Sequence, residues 1–107
     1  MCRVVGEVGN VFGQVYRSML ASPSGLFVFL IALPNRSGTL ARLTSRLAEL
    51  NLNLITTYAY SVSEDLAMAL LVYEAKDGLF EKAIEELRKG GAMVREAYEI
   101  KITRVLS

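Results

Sequence analysis

The 107-residue sequence predicts an α+β sandwich built in the order strand, helix, strand, strand, helix, strand. Two hydrophobic periods carry the prediction. Residues 26–33 and 66–73 are continuous apolar runs rich in strand formers, whereas 40–50 and 79–87 repeat apolar residues every three or four positions. A third observation fixes the ends: Pro34-Asn35, "SVSED" at 61–65 and Gly90-Gly91 are turn chemistry placed between those blocks.

Along the chain, residues 1–23 read as a separate N-terminal segment ahead of a domain spanning 24–107. Val11, Phe12, Val15, Tyr16 and Met19 are spaced like one face of a helix over 10–20, although Gly13 inside it costs ~1 kcal/mol of helix propensity. "LFVFLIAL", 26–33, has no polar alternation, as expected of a strand buried on both faces. Leu40, Leu43, Leu47 and Leu50 then form one side of a helix of about three turns, with Arg42, Arg46 and Glu49 on the other. β-Branched and aromatic residues return from Asn53 to Val62, and Glu64 and Asp65 belong to the turn of a hairpin whose second strand is "LAMALLVY", 66–73. Asp77 stands where an N-cap belongs. Leu79, Phe80, Ala83, Ile84 and Leu87 make the stripe of the second helix, and Gly90-Gly91 ends it. Tyr98, Ile100 and Ile102 alternate with Ala97, Glu99, Lys101 and Thr103, the pattern of a half-buried edge strand.

This order is that of the ferredoxin-like βαββαβ sandwich, an antiparallel sheet with both helices on one face. Right-handed crossovers put the first and third strands side by side in the middle. Their second face is apolar too, so it needs a cover: the N-terminal segment or the sheet of a second subunit.

Composition removes several function classes. Twelve basic and eleven acidic side chains nearly cancel, leaving no electrostatic footprint for nucleic acid or an anionic membrane. With no histidine, imidazole metal sites and the usual nucleophile–base pairs are missing, so no metal, no cofactor and no catalytic residue are expected. Glu81, Glu85 and Glu86 mix with Lys82, Arg88 and Lys89 at helical spacing, which is a solvated charged face. Gly6, Gly9 and Gly13 match no nucleotide-binding loop. Tyr58 and Tyr60 share one strand face and could stack a base, yet no basic groove accompanies them. Cys2 is the single cysteine, and a free thiol fits a reducing, cytoplasmic setting. Residues 1–22 are too polar for a signal peptide, and the run at 26–33 is too short to span a bilayer.

Two short stretches flank the first helix: Asn35-Arg36-Ser37-Gly38-Thr39-Leu40 before it and Asn51-Leu52-Asn53-Leu54 after it. On these, residues 26 to about 103 resemble the ACT domain family of amino-acid-sensing regulatory modules. Its signature is an acidic or amide residue, a Pro-Gly-like turn, a leucine shortly after it, and a "Gly-x-Asn-Ile"-like stretch beyond the helix. The likeness is nearest to the serine-binding regulatory domain of phosphoglycerate dehydrogenase. There, an asparagine in the first turn and another on the second strand contact the effector across a subunit interface; Asn35 and Asn53 fall on those positions. Ser37 stands where that domain has proline, and Leu33 where it has a histidine ligand.

The resemblance implies a non-catalytic regulatory domain that works as a homo-oligomer, dimer or larger, and acts on a separate protein. It implies a small-molecule ligand, an amino acid, held by Asn35, Arg36, Ser37, Gly38, Thr39, Leu40 and Asn53 at a subunit interface. A primary amide offers both a donor and an acceptor to a zwitterion, and a helix start suits its carboxylate. The alternative is a structural oligomerisation module without ligand. In that reading Asn35 completes a turn, Ser37 caps the helix, and Asn53 bonds the backbone at the entry to the second strand.

Overall fold

In the computed structural model, which describes residues 25–101, the first apolar run becomes β1 (Leu26–Pro34). It is followed by α1 (Thr39–Ala48), β2 (Leu54–Ser61), β3 (Leu66–Glu74), α2 (Phe80–Lys89) and β4 (Met93–Ile100). The N-terminal segment 1–23 and the expected strand residues Ile102 and Thr103 lie outside the described residues. The strands stand in the order β2-β3-β1-β4, every pairing antiparallel, so the two runs without polar alternation occupy the centre. The fold is the ferredoxin-like α+β sandwich.

The period of two along β1 decides where the core sits. Phe27, Phe29, Ile31 and Leu33 point at the helices and are buried with Ala69, Leu71 and Tyr73 of β3. Leu43 and Leu47 of α1 and Ala83 and Leu87 of α2 close the layer from above. Phe29 stacks on Phe80 with centroids 5.8 Å apart, and each such side chain contributes roughly 1.5–3 kcal/mol of burial. The helices touch closely at Gly90, where a Cβ would lie 2.5 Å from Leu43 Cδ2. Beside it, the Arg46 guanidinium donates through Nε to the Glu86 carbonyl and meets the Glu86 carboxylate through Nη2, each at 3.2 Å.

The opposite face is covered less. Leu26, Ala32 and Val72 are closed in, and Val28, Leu30 and Met68 are half-buried. Leu66, Leu70, Met93, Tyr98, Ile100, Tyr58 and Tyr60 are exposed around them. The first strand is therefore fully buried only towards the helices, because both helices lie on one side.

Three local expectations are corrected. Asp77 does not cap α2: the chain turns at Gly78, φ 79°, the Leu79 N–H bonds the Lys76 carbonyl, and Leu79 takes the cap position without a side-chain bond. Ser37 does not cap α1 either, because the residue before the helix is Gly38 at φ 84° and no side-chain cap bond is made among the described residues. The last strand begins at Met93, four residues before Ala97. The register slips between Leu30 and Ile31, leaving Arg95 as the extra residue, so that Val94 faces the helices opposite Ile31 while Glu96 faces outwards opposite Leu30. That slip breaks the alternation on which the later start rests. At the far end of α1, Asn51 adopts φ 60°, the left-handed conformation in which glycine usually ends a helix.

Candidate functional site

Beyond Pro34 the chain must leave the sheet and start α1 within a few residues. Asn35 ties this corner down: its backbone N–H donates to the Asp65 carbonyl at 3.0 Å, and its side-chain Nδ2 donates to Ser61 Oγ at 3.0 Å and to the Ser63 carbonyl at 2.8 Å. Both amide hydrogens are then used, and Oδ1 is left as an acceptor in a fixed direction. The Arg36 N–H bonds the Pro34 carbonyl at 2.9 Å, and Thr39 bonds back to Arg36 at 3.2 Å. Thr39 is buried beneath the turn, while Arg36, Ser37 and Gly38 are exposed on it.

Asn35, Arg36 and Leu40 border a cleft of about 200 Å³ between the start of α1 and the end of β2, lined also by Leu33, Ala59 and Ser61 among others, whereas Ser37, Gly38 and Thr39 do not line it. Its lining is mostly apolar with Asn35, Arg36 and Ser61 as polar members, and the first turn of α1, whose N–H groups lack intrahelical partners, adjoins it through Leu40. The volume falls below the ~300–1,000 Å³ of pockets for drug-sized ligands and suits a small polar molecule.

Asn53 does not join this cleft in the same protomer. Its carbonyl accepts from the Glu74 N–H at 3.0 Å, and its exposed side chain has no hydrogen bond among the described residues. It precedes the eight residues of β2, whereas Asn35 holds the residue that ends them. At about 3.3 Å per residue, roughly 25 Å separates the two asparagines. Asn53 instead borders a second hollow of about 340 Å³ with Thr44, Ser45, Ala48, Leu52, Leu54 and Tyr73. Behind it the Tyr73 hydroxyl is buried without a hydrogen-bond partner among the described residues, and desolvation pushes its pKa up to about 12.

Sequence spacing did not single out Ser61, Ser63, Ala59 or Tyr73. Ala59 and Ser61 reach the cleft through strand register and Ser63 meets Asn35 from the hairpin turn, long-range pairings that no local motif encodes. Tyr73 closes an apolar run and reads there as one more core residue. Tyr58 and Tyr60 lie on the face away from the helices, centroids 5.8 Å apart. Among the described residues there is no cluster of cysteine or carboxylate ligands for a metal and no helix long and apolar enough to cross a membrane.

No family model matches the chain, and no curated protein matches it. Solved structures do. The quorum quenching acylase GqqA is 18% identical with a TM-score of 0.58, over 74% of this chain and 29% of that one. A protein of unknown function from Galdieria sulphuraria is 21% identical with a TM-score of 0.58, over 76% of this chain and 48% of that one. The ligand-free regulatory subunit of aspartate kinase from Thermus thermophilus is 22% identical with a TM-score of 0.49, over 68% of this chain and 51% of that one. The chain thus spans less than a third of one of the two better-superposed proteins and about half of the other, and what it shares with them is the fold.

Proposed function

We propose that the chain is a non-catalytic regulatory domain of the ACT type, binding a small amino acid where two copies join through β2. One observation carries the reading: Asn35 and Asn53, the two positions marked by the family resemblance, flank opposite ends of a strand that has no neighbour on its outer side among the described residues. Antiparallel pairing of two such strands about a two-fold axis sets the start of each against the end of the other. With Leu54 opposite Ser61, the partner's Asn53 falls beside Val62, next to the turn that Asn35 holds. The two-fold then creates two equivalent composite sites.

The strand suits such a join. "LITTYAYS" carries no charge, proline or glycine, whereas β4 on the other edge carries Arg95, Glu96 and Glu99. In each site the ligand carboxylate lies against Arg36 and the first turn of α1, where Gly38 presents no side chain. The ammonium donates to Asn35 Oδ1, and the partner's Asn53 amide closes the other side. The regulated activity resides in another polypeptide or domain.

Calorimetric titration with the twenty amino acids tests the reading, alongside sedimentation of the free protein. Saturable binding to a dimer is expected, lost in Asn35→Ala and in Asn53→Ala. An equimolar mixture of the two variants regains binding after subunit exchange, since a mixed dimer has one intact site and one carrying both lesions. An oligomer that binds none of the twenty supports a structural module instead, and a monomer at all concentrations removes the shared site.

A further inference from the structure

The side of the sheet away from the helices is apolar across its whole width. Tyr58 and Tyr60 on β2, Leu70 on β3, and Met93, Tyr98 and Ile100 on β4 are exposed there, with Leu30 and Met68 half-buried between them. We infer that this face is the contact surface for a second copy of the chain, sheet packed on sheet, separate from the join through β2.

Breadth selects the occupant. The exposed side chains run from one edge strand to the other, ~14 Å between the outer strand axes, whereas a single helix is only about 10–12 Å across with its side chains. One helix laid along the central strands leaves an edge row in water. A second sheet of the same four strands covers every row.

Area points the same way. A nine-residue strand is ~30 Å long and four strands span ~19 Å, so the face covers roughly 550 Å² in plane. Two such faces together remove on the order of 1,100 Å² from water, just above the ~1,000 Å² that a specific interface needs. Where β2 also joins two chains, their faces run on into one another and the contact doubles.

Composition and charge fit a copy of the same chain. The outward positions of β1 and β3 carry no charge before Glu74, the last residue of β3, and tyrosine and methionine, which protein interfaces favour, surround them. The charged groups stand at the rim and have both signs. Glu96 faces outwards on the β4 edge, and Arg95 beside it donates through Nη1 to Met93 Sδ at 3.6 Å. A two-fold contact repeats this rim on both sides, so its two signs complement each other without a foreign partner.

Sedimentation of the full chain across a dilution series tests the contact. Leu70→Lys and Tyr98→Lys each put a charge into the face, and Glu85→Lys on the exposed side of α2 is the control. Circular dichroism establishes that each variant keeps the fold; Tyr98 stands on an edge strand, so its variant carries the test should Leu70→Lys fail to fold. Each face variant is expected to cut the wild-type mass in half, whereas the control leaves it unchanged. In a mixture of isotope-labelled and unlabelled chains, filtered NOEs are expected between chains from Leu30, Met93 or Tyr98, which the β2 join holds far apart. Unchanged mass in both folded face variants overturns the inference, as does a monomeric wild type. NOEs from these residues confined to one chain also overturn it and assign the face to a segment of that chain. The β2 reading fails separately: without that join the face alone gives a dimer that Leu70→Lys turns into monomer, and without the face the β2 dimer survives Leu70→Lys intact.

Discussion

Asn35 Nδ2 lies 3.0 Å from Ser61 Oγ, so the side chain that opens the first turn also fastens the last residue of β2. The same nitrogen holds the Ser63 carbonyl at 2.8 Å. One amide therefore sets both the cleft rim and the hairpin turn.

Replacing Asn35 by aspartate removes both donated hydrogen bonds and sets a negative oxygen against the Ser63 carbonyl. Asn35→Asp should cost on the order of 1–2 kcal/mol in urea unfolding. Amide exchange should quicken at 61–65 before it does in the central strands. Unchanged protection there would separate the amide from the turn.

Three glycines should rank by what surrounds them. Gly38 has open space around it but φ 84°, so Gly38→Ala should cost about 1–2 kcal/mol through the backbone alone. Gly90 has an ordinary helical φ of −78°, and its alanine meets the fully buried Leu43, an overpacking cost of roughly 1–3 kcal/mol. Gly25→Ala combines a left-handed φ with a clash against the Ile100 carbonyl and should cost on the order of 3 kcal/mol or more. Thermal unfolding of the three variants checks whether Gly25→Ala is the most damaging.

Tyr73 is 1% exposed and its hydroxyl has no partner among the described residues, so Tyr73→Phe should be neutral or stabilise by up to ~1 kcal/mol at neutral pH. Alkaline conditions separate the two proteins further. The folded pKa near 12 stands above the ordinary tyrosine value of 10.0, so between these values the folded state binds more protons than the unfolded one. Wild-type stability is complete below about pH 10 and is lost as pH rises through the folded pKa, by roughly 2–3 kcal/mol in all. The phenylalanine variant should lack that component in urea titrations at rising pH.

Arg46 spans the two helices with a planar fork, one arm on the Glu86 carbonyl and one on its carboxylate. Arg46→Lys keeps the charge but cannot make both contacts in that geometry. It should lose about 0.5–1.5 kcal/mol, and added salt should recover none of it. Urea unfolding at low and high salt distinguishes this from a simple surface ion pair, whose contribution salt would erase.

The elements that periodicity describes well are the ones the sequence foretells. β1 and β3 lack polar alternation and stand in the centre, and the leucine stripe from Leu40 to Leu47 faces the sheet. Asp77 looks like a cap because its residue type suits one, but Gly78 turns the chain before the helix starts. The start of β4 is hidden because the extra residue Arg95 resets the alternation halfway along the strand. Of the candidate site, Asn35 can be placed at a turn from its neighbours alone. Its bonds to Ser61 and Ser63 depend on long-range pairing, which no local pattern states. The wide separation of Asn35 from Asn53 likewise follows from topology, since α1 carries the chain back to the opposite end of the sheet.

The contrast between the two sheet edges bears on how the protein misfolds. Leu54–Ser61 is an uncharged, aromatic and β-branched stretch whose outer edge pairs with no strand among the described residues, the composition from which cross-β fibrils nucleate. The charged residues of β4 act as gatekeepers on the other side. Fibril growth from this chain should therefore start at one edge only. Any partner or ligand that keeps that edge occupied would act as an inhibitor of amyloid formation.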